Sequence, residues 1–148
     1  MFGEEPVRVP LQPLTAACIS LVATAYHVPE VDMWALLAQE HGKIGEISIN
    51  KNRTVDIGPY QINSIWLPSF TRLWNLPSQQ ETLERLRDHG CWNVAAAGAI
   101  YRYEFDRAGD RRKALGLYHS ARPDLAAKYL AQLDGKYRML FGDTVDPP

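Results

Sequence analysis

Apolar residues recur at three- and four-residue steps along most of the chain, and glycine or proline breaks the pattern about every ten to twenty residues, as in short helices sharing one core. The first run, Leu11 to Val28, places Leu14, Ala17, Cys18, Leu21, Val22 and Ala25 on one expected buried face. A second helix is predicted from about Glu30 to His41, with Val31, Trp34, Leu37 and Ala38 inward and Gly42 closing it in the left-handed conformation. Residues 43–58 lose the helical period. There Ile47 and Ile49 alternate with Glu46, Ser48 and Asn50, which predicts a short, irregular hairpin with "TVDIG" as its return. Helical spacing resumes after Gln61 with Ile62, Ile65, Trp66 and Phe70, broken by Pro68. Ser78 and Glu81 form a capping box that opens a helix to about Asp88, with Gly90 as its stop. A long apolar helix, Cys91 to Ala108, carries Ala95, Ala96, Ala97, Gly98 and Ala99, small enough for a neighbour to approach closely. Two more helices follow, about Arg111 to His119 and Pro123 to Phe141, the latter started by a proline whose missing N–H costs nothing there. The pattern predicts a mainly α protein with a single domain over 1–148 and a core over about 14–141.

Composition adds little to that picture except exclusions. A chain of 148 residues, 46% hydrophobic and 22% charged with net charge -1, is an ordinary globular protein without the basic excess of a nucleic-acid binder. The densest basic run, Arg107 to Lys113, is interrupted by Gly109 and Asp110 and reads as a solvated helix junction. Leu11 to Val28 lacks the positive flank of a signal peptide and the ~20 strongly apolar residues of a membrane span, so no signal peptide and no span are read there.

Chemistry enters with Glu40. A glutamate at the last turn of a helix meets the negative end of the macrodipole, which disfavours its ionised form. That suits a general acid holding a proton near neutral pH, and equally describes a surface residue on a fraying turn. About twenty residues on stands "GPYQIN", Gly58 to Asn63, a permissive glycine followed by an aromatic ring and two amides. Such groups grip sugar hydroxyls and acetamido groups.

Together these residues give the chain a resemblance to the catalytic domain of lytic transglycosylases related to goose-type lysozyme. It resembles most the small members that accompany secretion, pilus and conjugation machines. The family's glutamate-serine motif is matched by Glu40 with His41 in the serine position. Its G-L-M-Q-I-N motif is matched by Gly58 to Asn63, with Pro59 and Tyr60 for leucine and methionine. An asparagine followed at five residues by glycine is matched by Asn93 and Gly98, and A-Y-N-x-G by Leu117 to Ala121, where Tyr118 is kept while His119 and Ala121 depart. The likeness runs from about Leu14 to Tyr129, and four motifs in order are far more specific than any one.

The resemblance implies a lysozyme-like α-helical domain with its irregular β segment near 43–58. It implies cleavage of the β-1,4 bond between N-acetylmuramic acid and N-acetylglucosamine, with Glu40 as the single acid/base and a 1,6-anhydro product. Gln61, Asn63, Tyr60, Tyr118 and His119 become substrate-binding candidates, with Tyr118 expected to orient Glu40 and Tyr60 offered as either a stacking face or a packing residue. Gly58, Asn93 and Gly98 are structural. Of the other carboxylates, Asp56 reads as a turn residue and Glu46 as exposed. Trp66, Trp74 and Trp92 read as core or groove wall. His41 and His119 stand in no metal-ligand spacing, so neither metal nor cofactor is expected. The expected partners are peptidoglycan strands and a secretion, pilus or conjugation machine, met as a monomer in the periplasm or against the wall. Cys18 and Cys91, an even count in a presumed exported enzyme, are expected either as a disulfide or as buried free thiols. A hydrolytic muramidase and an inactive peptidoglycan-binding module are the competing readings.

Overall fold

Most helices begin where a side chain or a proline disposes of unpaired N–H groups, and these starts lay out the computed structural model, which describes residues 11–148. Thr15 accepts from the Cys18 N–H at 3.1 Å to open α1 (Ala16–Tyr26). Ser78 accepts from Glu81 to open α4 (Gln79–Asp88), and Asp110 from Lys113 to open α6 (Arg111–His119). Pro68 and Pro123 occupy the first turns of α3 (Leu67–Leu73) and α7 (Pro123–Phe141). With α2 (Glu30–Glu40) and α5 (Gly90–Ala108), the described residues hold seven α-helices and one small sheet, mainly α with a short β segment.

The sheet pairs β1 (Ile47–Ile49) with β2 (Val55–Ile57), and β2 with β3 (Ile62–Asn63), all antiparallel. Ile62 is thus a strand residue rather than the start of a helix, because Gly58 to Gln61 turn the chain back onto β2 before a 3-10 turn, Ser64–Trp66, leads into α3. Gly90 does not stop α4. His89 caps that helix, and Gly90 opens α5 without a break.

Burial rotates two of the predicted helix faces. In α1 the buried residues are Ile19, Val22 and Ala23, while Leu21 is 73% exposed. This helix is apolar nearly all round, so period alone cannot set its phase. A close approach sets it instead, since a Cβ on Gly98 of α5 would run into Val22 and Tyr26. Helix α2 is covered by α1 on one side and α7 on another, and Asp32, Met33, Ala35 and Leu36 are all fully buried.

Asp32 is the polar centre of this core. It accepts from Arg111 Nε at 2.9 Å, from Arg111 Nη2 at 2.5 Å and from the Tyr101 hydroxyl at 3.0 Å, with the Tyr137 hydroxyl also upon it. Four helices therefore meet on one carboxylate. Arg111 is consequently no solvated junction residue, and its neighbour Arg112 pairs with Asp134 of α7. Cys18 and Cys91 are bonded, with Cα atoms 5.5 Å apart, so α1 is fastened to the start of α5. No described helix is long and apolar enough to cross a membrane.

Candidate active site

The end of α2 and the turn after β2 are pressed together backbone to backbone. Helix α2 closes at His41, not at Gly42: His41 takes the left-handed conformation at φ 58° and its N–H returns to the Leu37 carbonyl. Gly42 is needed for space, since a Cβ there would fall on the Gly58 carbonyl, and its N–H donates to the Pro59 carbonyl at 3.1 Å. Gly58 is itself left-handed at φ 67° and lies against Asn93 and the Leu86 carbonyl, where no side chain fits. Glu40 is thereby held over the "GPYQIN" turn.

Asn93, wholly buried on α5, sets that turn. Its Oδ1 accepts from the Tyr60 N–H at 2.8 Å, and its Nδ2 donates to the Ile57 and Leu86 carbonyls at 2.9 Å each. Tyr60 is fully buried, with its hydroxyl donating to the Met33 carbonyl at 2.8 Å, so it packs the core and offers no stacking face. The Tyr118 hydroxyl donates to the Tyr60 carbonyl at 3.0 Å rather than to Glu40. Tyr118 braces the turn.

The residue that reaches Glu40 is Tyr129 of α7, whose hydroxyl donates to Oε1 at 3.5 Å. No local signal marks Tyr129. The usable one is general: a tyrosine buried on a helix needs a partner for its hydroxyl. His119 stacks on the Tyr129 ring, 4.6 Å between centroids and 3° between planes. Burial lowers its pKa, against an opposing pull from Asp56, so the imidazole is neutral at pH 7.

Glu40 lines a groove of about 690 Å³ with Gln61, Asn63, Tyr118 and His119, four of the five substrate-binding candidates. Asp56 lines it too. It is a β2 residue paired with Ser48 and Asn63, not a turn residue, and it accepts from Asn63 Nδ2 at 3.0 Å. Asn63 also donates to Thr54 and accepts from the Ile65 N–H, while Gln61 donates to the Gly58 carbonyl at 3.0 Å. Their amides thus shape the groove wall as well as face it. Trp66 lines the groove, while Trp74 and Trp92 pack edge to face beside α3. Glu46 is exposed and outside the groove lining.

Burial raises the Glu40 pKa to about 8, the Asp56 charge adds to the rise, and the Tyr129 hydroxyl opposes it. At neutral pH the groove thus holds one carboxyl that keeps its proton and can give it to a ligand oxygen. Among the described residues no group of three His, Cys, Asp or Glu side chains is placed to hold a metal. No protein-family model matches the chain, and no curated protein is significantly similar to it.

Proposed function

We propose that this chain is a peptidoglycan lytic transglycosylase, cleaving the bond between N-acetylmuramic acid and N-acetylglucosamine and leaving 1,6-anhydromuramoyl ends. The observation that carries this reading is Glu40, a carboxyl raised to about 8 within an open groove of amides and hydroxyls. Protonated Glu40 donates to the leaving glycosidic oxygen. As carboxylate it then takes a proton from the C6 hydroxyl of the muramic acid, whose oxygen closes on C1. No water enters, and one carboxyl performs both steps. The Cys18–Cys91 disulfide agrees with a wall-facing, oxidising compartment, where such an enzyme would open the wall for a secretion, pilus or conjugation machine.

Asp56 favours a second reading. Its carboxyl faces the same groove as Glu40, as a hydrolytic muramidase needs in order to activate water or stabilise the cleaved sugar. Mass spectrometry of fragments from purified sacculi separates the two, because anhydro ends are lighter by one water than reducing ends. Glu40→Gln should cut turnover by at least ~10²-fold, the low end of general acid–base contributions, while sacculus binding survives. Near-normal turnover in that variant would sink both readings.

A further inference from the structure

Ile100, Glu104 and Arg107 stand on successive turns of α5, and all three line the groove. Arg107 lies fourteen residues beyond Asn93, about 21 Å along the helix at 1.5 Å per residue, which puts it well away from the turn that seats Glu40. Glu104 is a carboxylate only 5% exposed, and the Glu40 chemistry makes no use of it. One of its oxygens, Oε2, accepts from Arg107 Nη2 at 2.8 Å. The guanidinium sits over the Tyr103 ring at 5.3 Å, while its side chain is 54% exposed.

A simple surface pair between residues three apart would leave both partners in water. Here the acid is sunk in the groove wall, at a desolvation cost that a surface ion pair does not repay. What the arrangement achieves is to hold a guanidinium in one place. Arg107 has five N–H donors and, among the described residues, spends one on Glu104 and none elsewhere. The remaining edge is free for a planar, two-point grip on a carboxylate. Elsewhere the groove is lined by apolar side chains such as Ile65, Trp66 and Leu125, by neutral amides and hydroxyls, by the carboxyls Glu40 and Asp56, and by His119, which is neutral at pH 7. Among the described residues, Arg107 is the one permanent cation in the groove lining.

We infer that Arg107, positioned by Glu104 and Tyr103, binds a carboxylate of the stem peptide carried by the muramic acid, so that the groove prefers peptide-bearing strands to neutral ones. The inference rests on the peptidoglycan reading, and it adds a specificity contact outside the proton-transfer site.

Binding of three soluble probes by calorimetry tests it. They are a muramyl-containing tetrasaccharide bearing alanyl-glutamate stems, the same molecule with its peptide carboxylates converted to amides, and a neutral tetramer of N-acetylglucosamine. The native protein should bind the first about tenfold more tightly than the second, the gain expected of one charge-assisted contact. Arg107→Gln should erase that difference and leave the affinity for the neutral tetramer unchanged, while Arg107→Lys, which keeps the charge, should retain part of it. Equal binding of the acid and amide forms by the native protein, or a preference that survives Arg107→Gln, overturns the proposal and leaves the proposed reaction standing. Failure of the native protein to bind any of the three would overturn both.

Discussion

Replacing Glu40 by glutamine should stabilise the protein, and by an amount that depends on pH. The carboxyl has an ordinary value of 4.5 and a folded value of about 8, so between those limits the folded state holds a proton that the unfolded chain releases. Stability is therefore full below pH 4.5 and falls as pH rises through the window toward the folded value. At 1.36 kcal/mol per pKa unit the loss comes to about 3 kcal/mol at pH 7 and levels off near 5 kcal/mol by pH 9. Glutamine keeps the shape and an oxygen for the Tyr129 hydroxyl but never ionises, so the variant escapes this loss. Urea denaturation of both proteins at pH 4, 7 and 9 should show coincident curves at pH 4. The variant should lead by about 3 kcal/mol at pH 7 and about 5 at pH 9, the latter a melting difference of roughly 10–20 °C. A gap of constant size across that range would refute the claim that burial, with Asp56 beside it, holds the proton on Glu40. The assay needs no ligand, so it tests the electrostatics of the groove independently of the proposed activity.

Three other outcomes follow from contacts in the core and the groove. Asp32→Asn removes the charge from a fully buried carboxylate whose partner Arg111 is itself about a third exposed, and should cost about 1.5–3 kcal/mol in urea denaturation at pH 7; a loss under about 1 kcal/mol would show that Asp32 does not organise the core. Cys18→Ser with Cys91→Ser opens a loop with 73 residues of sequence separation and should cost about 4 kcal/mol, read as a matched fall in the midpoint with and without reductant in the native protein. Asp56→Asn removes the charge that helps hold Glu40 protonated, so the alkaline limb of activity should move to lower pH with the peak rate largely kept; abolished turnover would favour the two-carboxylate, hydrolytic reading instead.

What could be read in the sequence is what short-range physics decides. The starts of α4, α6 and α7 are local events, a serine or aspartate three residues from the N–H it accepts, or a proline in the first turn. The pairing of residues around 47–57 shows in the alternation of Ile47 and Ile49. The phase of α1 does not show, because its faces are all apolar and the choice is made by Gly98, some eighty residues away. In the sequence Asp56 looks like a turn residue, because it precedes isoleucine and glycine, and only the ladder to Ser48 and Asn63 turns it into the groove. Likewise Tyr129, eighty-nine residues from Glu40, is joined to it by the packing of α7 on α2. The carboxyl itself was legible, since a helix end and a following turn lie next to one another in the chain. Its hydrogen-bond partner was not.

Asn93 gives the groove a property that no single contact describes. Its amide joins α5 to the end of β2, to the Tyr60 turn and to the last residues of α4, across sequence separations of 36, 33 and 7. None of these bonds can be exchanged for water while Asn93 stays buried, so the hairpin cannot lift from α5 without exposing an amide and three backbone groups at once. The floor of the groove thus opens with the whole domain rather than by local fraying, and the amide proton of Tyr60 should exchange with solvent as slowly as those of the core helices. Under the proposed reading, a polymer many times larger than the protein would be gripped and strained without deforming the surface that grips it.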